Sequence, residues 1–241
     1  MPADTGCANT IATNAARVRD RIALAAARAG REASQVRLIA VSKKFGAELV
    51  RSAVTAGLTD LGENRVQEAE LKMNAIESVE PLKITWHLIG HLQSNKARKA
   101  ALTFDWIHSV DSLELLTRLE GAARAEETHP RLLVQVDLAS EATKHGASVD
   151  NTRRILDAAG GCTALKMCGL MVLPPWSTDA ELARPFFARL RELRDGLVQD
   201  GVDPQMLEEL SMGMSHDFEV AVEEGATIVR VGTAIFGPRP R

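Results

Sequence analysis

Tyrosine is absent from the 241 residues, and aromatic residues make up only 4%. No phenol is therefore available as a general acid or base. Cysteine is scarce: Cys7, Cys162 and Cys168 form no CxxC pair and leave one odd. A disulfide framework is not expected, and a reducing, cytoplasmic setting fits best. No apolar run is long enough to span a bilayer, so no membrane partner is expected. The opening MPADTGCANT lacks the basic start and apolar run of a secretory signal. Charge of one sign is also lacking. With a net charge of −3 and arginines scattered among acids, the chain carries no electrostatic footprint for nucleic acid.

What is present is ordinary globular material, 45% hydrophobic and 25% charged, enough for one sizeable core. The length allows one large domain or two small ones, and no linker or low-complexity segment divides it. Short β-rich runs alternate with amphipathic stretches. A helix is predicted over Ile11 to Ala29, ended by Gly30. Strands are predicted over Val36 to Lys43, Asp60 to Asn64, Ile84 to Gly90 and Trp106 to Val110. Four more are predicted over Leu132 to Leu138, Met167 to Leu173, Glu209 to Gly213 and Ile228 to Phe236. Helices fill the intervals, one of them capped by Ser112, another running from Ala180 to Gln199, and a third from His216 to Glu224. Alternation alone also suits a doubly wound open sheet. The count of eight strands favours a single (β/α)₈ TIM barrel over residues 36–237, with residues 1–35 as a leading segment and helix.

The strands are apolar along most of their length, and their polar residues gather at the C-terminal ends: Lys43, Asn64, Ser109 with Asp111, and Ser211. In a barrel those ends form one face, where such folds build their sites. A strand-ending lysine is ordinarily a solvated surface residue. In a partly desolvated mouth the same amine becomes a Schiff-base nucleophile. Lys43 and Lys44 fall on opposite faces, and alternation does not say which points inward.

LSMGMS and IVRVGT, after strands seven and eight, supply Ser211, Gly213, Ser215, Gly232 and Thr233. Loops at this place commonly hold phosphate, although turn chemistry alone would place glycines there too. Arg230 is harder to read as structural, because a guanidinium among β-branched neighbours is costly to bury without an acceptor. His87 and His91 have a spacing that suggests a metal. No nearby cysteine or carboxylate cluster completes a set, and the stretch reads as strand, so no metal site is expected.

Taken together, these residues resemble the pyridoxal phosphate homeostasis proteins, also called proline synthase co-transcribed homologues. The resemblance runs from Val36 to Gly237 and rests on motifs in order: AVSK ending at Lys43, GEN at Gly62 to Asn64, VQE at Val66 to Glu68, and WHLIGHLQSNK at Trp86 to Lys96. It continues with SVD at Ser109 to Asp111, GLM at Gly169 to Met171, LSMGMS at Leu210 to Ser215 and RVGTAIFG at Arg230 to Gly237. It implies the alanine-racemase-like barrel, with pyridoxal 5′-phosphate carried by Lys43 as an internal aldimine. It further implies Arg230 at the pyridine nitrogen, Ser211, Gly232 and Thr233 at the phosphate, Asn64 lining the ring, and His87 near the cofactor. Arg65 and His216 depart from the family pattern, which often has an aromatic and an acidic residue there.

Three functions are open to such a chain: a cofactor carrier in vitamin B6 homeostasis, a pyridoxal-phosphate-dependent amino-acid racemase or decarboxylase, and a lysine-dependent aldolase. The cofactor supplies the bond chemistry in any such enzyme, while the protein supplies protonation and electrostatics. Racemases of the resembled kind use a tyrosine, brought by a partner's C-terminal domain, as second base. This chain has no tyrosine and ends five residues after Phe236. The expectation is therefore a non-enzymatic carrier, a monomer, with apo forms of pyridoxal-phosphate enzymes as its possible recipients.

Overall fold

Eight parallel strands follow one another around a closed barrel: β1 (Arg37–Val41), β2 (Asp60–Glu63), β3 (Thr85–Leu88), β4 (Trp106–Val110), β5 (Arg131–Val136), β6 (Lys166–Val172), β7 (Glu209–Ser211) and β8 (Ile228–Val231). The computed structural model describes residues 5–79, 82–139 and 145–238. The helices, in chain order, are α1 (Thr5–Arg28), α2 (Ala47–Thr55), α3 (Val66–Glu77), α4 (Ala97–Thr103), α5 (Leu113–Ala125), α6 (Val149–Ala159), α7 (Arg184–Gln199), α8 (Phe218–Glu223) and α9 (Thr233–Phe236). β1 closes the barrel by pairing with β8, Arg37 against Ile228 through Ala40 against Val231. The expected TIM barrel with a leading helix is the observed fold.

Strand alternation divides the apolar residues into two cores. Ile39, Val41, Ile89, Trp106, Leu133, Cys168, Met171 and Ile228 pack inside the barrel. Ala40, Leu61, Leu88, Ile107, Leu132, Val134, Val229 and Val231 face outward against the helices. Each fully buried Leu, Ile or Val contributes about 1.5–3 kcal/mol, so a shift of one residue in any strand would forfeit several such contributions.

α1 lies outside the ring and packs against α2, α8 and α9. Its buried stripe of Ile11, Ala15, Val18, Ile22, Ala25 and Ala26 follows the helical period. Asn14 donates to the Ile235 carbonyl at 3.0 Å, and Arg21 holds Glu219 of α8 through two hydrogen bonds. α9 has only four residues, and α1 packs on it and on its neighbours α8 and α2.

Three boundaries differ from the sequence reading. The eighth strand stops at Val231 rather than at Phe236, and Thr233–Phe236 coils back as α9 with Ile235 buried. An unbroken apolar run does not reveal that its far half packs as helix. β1 stops at Val41, so Lys43 stands beyond the last ladder position. The helix expected from Ala180 opens as a 3-10 turn over Ala180–Ala183, and α7 begins at Arg184 with Pro185 in its first turn, where a missing N–H costs nothing. Ser112 caps α5 as expected, its hydroxyl accepting from the Leu115 amide at 3.3 Å.

Candidate functional site

The two lysines at the end of β1 differ in burial. Ile39 and Val41 belong to the interior core and Ala40 to the outer one, and Lys43 and Lys44 form the turn that follows, just beyond the end of β1. Lys43 is half-buried and Lys44 exposed. Lys44 adopts φ 67°, a left-handed conformation that costs a non-glycine residue about 1–2 kcal/mol. This turn carries the chain outward directly after Lys43.

A buried charge cluster clamps the backbone on both sides of Lys43. Lys72 of α3 donates to the Ser42 carbonyl at 2.7 Å, to Glu63 Oε1 at 2.6 Å and to Glu68 Oε1 at 2.9 Å. The Ser42 hydroxyl donates to Glu63 Oε1 at 2.5 Å, and the Lys44 amide donates to Glu68. Burial pushes the Glu63 carboxyl above the ordinary range, outweighing the hydrogen bonds from Lys72 and Ser42, and its Oε2 has no partner. For Glu68 burial acts upward as well, but Lys72 and the Lys44 amide prevail and hold it low.

Inside the barrel, a hydrogen-bonded chain links β8, β7, β4, β3 and β2. Arg230 is fully buried and donates from Nη1 to Ser211 Oγ at 2.6 Å and from Nη2 to the Val172 carbonyl at 3.0 Å. Ser211 Oγ lies 2.9 Å from His108 Nδ1, His108 Nε2 lies 3.1 Å from His87 Nδ1, and His87 Nε2 lies 3.0 Å from Asp60 Oδ1. A carboxylate can only accept, so His87 Nε2 donates to Asp60, and because burial keeps both rings neutral the remaining bonds run in the same direction. Ser211 donates to His108, His108 to His87, and His87 to Asp60. Both histidines are then neutral with the proton on Nε2. A second proton on His87 would set its Nδ1–H against the Nε2–H of His108.

The electrostatics agree. Burial pushes His108 well down, helped by the charges of His87 and Arg230, and burial lowers His87 against the opposing pull of Asp60. Asp60 is held low: burial acts upward, but hydrogen bonds from His87 and Arg37 outweigh it. Burial brings Arg230 down to about 10, still protonated at neutral pH.

A folded-state histidine pKa below the unfolded value of 6.5 removes stability as pH falls through 6.5 toward the folded value. Each of the two rings is expected to contribute a loss approaching about 1.4 kcal/mol per pH unit in that window. Urea unfolding from about pH 7 to about pH 5 tests this against a His87→Gln/His108→Gln double variant. A wild-type pH slope no steeper than the variant's would overturn the neutral assignment.

The loop after β7 is fixed beside this chain. Gly213 has φ 91°, and a Cβ there would lie 2.6 Å from Ala221 Cβ, so only glycine fits. The Gly213 carbonyl accepts from the Arg230 amide at 3.0 Å, and buried Asp217 accepts from the Met214 amide at 2.5 Å. Ser215 Oγ accepts from the amides of Gly232 and Ala234 at 3.0 and 3.4 Å. Since Ala40 pairs with Val231, the Gly232–Thr233 turn lies next to Val41, two residues before Lys43.

Lys43, Arg230, Gly232 and Thr233 therefore converge on one sector of the mouth, with Asn64, half-buried, just beyond β2. Ser211 lies below that rim with its hydroxyl shared between His108 and Arg230. His87 is deeper still and reaches the site only through His108. Ser109 is buried at the β4 bulge, where its hydroxyl has no partner. Arg65 begins α3 and borders a groove of about 460 Å³ with Asn64, His91 and Lys96. His216 stands 3.5 Å from Asp217 and 6.4 Å from the ring of the exposed Trp176. A cavity of about 410 Å³ lined by Thr85, Asp105, Trp106, Thr128 and Arg131 opens at the other end of the barrel and holds none of the expected site residues.

Asp60, Glu63, Glu68, Lys72 and His108 were not legible as site residues. His108 did carry a signal, as a histidine inside the apolar run WIHSV. Lys72 carried none, because a lysine on an amphipathic helix reads as solvated.

Residues 13–240 match the family described as alanine racemase, N-terminal domain. The chain is 42% identical over 231 residues to the pyridoxal phosphate homeostasis protein of Pseudomonas aeruginosa, covering 96% of each. It is 40% identical over 223 residues to that of Aquifex aeolicus, covering 92% of this chain and 96% of the relative. Among solved structures, PipY of Synechococcus elongatus PCC7942 with PLP bound superimposes with TM-score 0.83 at 40% identity, covering 94% of this chain and 100% of that one. No helix among the described residues is long and apolar enough to cross a membrane. On this breadth of likeness, the chain belongs to the pyridoxal phosphate homeostasis protein family, built on the alanine racemase N-terminal domain.

Proposed function

We propose that this protein binds pyridoxal 5′-phosphate at the barrel mouth and acts in intracellular handling of the cofactor rather than as an amino-acid racemase. The observation that carries the reading is the buried guanidinium of Arg230, on the strand that pairs with β1, whose end leads into Lys43. Arg230 is a buried cation with one hydroxyl and one carbonyl as its acceptors, and no described carboxylate lies within ion-pair distance of it. A buried charge so under-compensated suits an acceptor ligand above it.

In this reading Lys43 provides the covalent attachment and Arg230 faces the ring nitrogen. Asn64 lines the ring, and Gly232 and Thr233 hold the phosphate on the Ser215-braced turn. Ser211 supports that cradle through Arg230, and His87 acts through His108. When bound, the cofactor supplies an electron sink for carbanion chemistry. The chain's own part is to seat it and restrain it. An arginine at the ring nitrogen disfavours protonation there, and with no tyrosine present no phenol can deliver a proton to the face opposite Lys43. The same reading takes the protein as one domain, monomeric, in a reducing compartment, passing its cofactor to apo-enzymes.

Incubation of purified protein with L- or D-alanine or serine is expected to give no racemisation near ~10 s⁻¹, the ordinary enzyme range. Loss of one of two acid–base groups alone costs about 10²–10⁴-fold. Mixed with an apo pyridoxal-phosphate enzyme, the loaded protein is expected to restore its activity. Racemisation at an ordinary enzymatic rate would sink the carrier reading.

A further inference from the structure

The loops after β3, β4 and β5, in the half of the mouth across from β8, gather three donors that are far apart in sequence. His91 Nδ1 lies 3.4 Å from Asp111 Oδ2. The His91 ring stacks on that of His145, with centroids 3.5 Å apart and planes 8° from parallel. One donor atom from each of the three lies within 4.8 Å of the others, the one such His/Cys/Asp/Glu group among the described residues.

The backbone holds His145 in place. Its carbonyl accepts from the Gln135 side chain, and Ala147 extends β5 through a bridge to Val136, with the Ala147 amide 2.8 Å from the Gln135 carbonyl. Gly146, at φ 154°, lets this segment approach Asp137, whose amide would lie 2.7 Å from any Cβ. Both imidazoles are solvent-exposed, so the cluster fills no core.

We propose that His91, Asp111 and His145 bind one divalent transition-metal ion of the zinc or cobalt class. Two imidazole nitrogens and one carboxylate oxygen suit such ions, whereas magnesium and calcium prefer all-oxygen sets. Metal–ligand distances of about 2.0–2.2 Å place tetrahedral ligands about 3.4 Å apart, the spacing already present between His91 and Asp111. Two parallel rings cannot both aim a lone pair at one ion, so binding turns one imidazole out of the stack, which its exposure permits. Three protein donors leave the fourth position to water, as in zinc sites that are not purely structural. The set escaped the sequence reading because only the fold brings His91 to Asp111 and His145.

The test uses full-length, tag-free protein treated with chelator and desalted, titrated with Zn²⁺ by calorimetry and with Co²⁺ by visible absorption. It needs no cofactor and so stands apart from the pyridoxal phosphate reading. The expected result is one equivalent bound, a Co²⁺ spectrum of nitrogen and oxygen ligation, and affinity at least about 10- to 100-fold weaker in Asp111→Asn and His145→Ala, each checked for fold by circular dichroism. Absence of uptake by the wild type would overturn the proposal. So would uptake unchanged in both variants, or a spectrum showing thiolate ligation, either of which would place the ion elsewhere.

Discussion

Lys43→Ala is expected to give a folded protein that no longer acquires visible absorption from pyridoxal phosphate. The side chain is half-buried at the mouth and outside both apolar cores, so its removal leaves the barrel intact. Without the amine no covalent attachment forms, and what persists is the weaker hold on phosphate and ring nitrogen. Borohydride reduction of loaded wild-type protein followed by peptide mapping should place the adduct on Lys43. The different burial of the two neighbouring lysines makes this a sharp test. Ile39 and Val41 point inward and Lys44 turns outward at φ 67°. An adduct on Lys44, or undiminished colour in the variant, would refute the assignment.

The second large effect is expected from Lys72→Met. The ammonium sits with its side chain 8% exposed, against Glu63, whose side chain is 0% exposed. Removing it leaves a buried carboxylate uncompensated, which costs about 3–5 kcal/mol. The double variant Lys72→Met/Glu63→Gln should recover much of that loss, because the orphaned charge goes with its partner. The pH dependence has a definite sign. Glu63 has a folded pKa above the ordinary 4.5, so protonation favours the folded state and the deficit shrinks as pH falls from neutrality toward 4.5. Urea unfolding of wild type, single and double variants at several pH values reads both effects. A single variant as stable as wild type, or a deficit that grows on acidification, would remove the clamp from the account. Because Lys72 and Glu68 hold the backbone at Ser42 and Lys44, the single variant should also bind pyridoxal phosphate more weakly.

Much of this architecture was legible in the chain. β-Rich runs at regular intervals with helical stretches between them identify a parallel sheet, and eight of them suit a closed barrel. β4 was read to its residue, because Trp106–Val110 is bounded on both sides by polar residues. β8 was over-read, because Ile228 to Phe236 is mostly apolar on both sides of Gly232, where the chain leaves the strand and turns into α9. The polar strand ends collect at the C-terminal face of the barrel, and Arg230 stood out because a buried guanidinium needs acceptors.

The sequence by itself determined the period of the elements, the face on which the polar ends collect and the lack of any phenol. Those follow from local pattern and composition. The packed fold was needed to show that Lys43 is half-buried while Lys44 is exposed, since parity has no origin until a neighbouring strand is packed. It alone revealed that Ser211, His108, His87 and Asp60 form one oriented chain beneath Arg230, and that Lys72 is buried against Glu63. It alone brought His91, Asp111 and His145 together. Hydrogen bonds and ion pairs act over about 3 Å in space, and separation along the chain carries no record of which distant groups the closing of a barrel will bring within that distance.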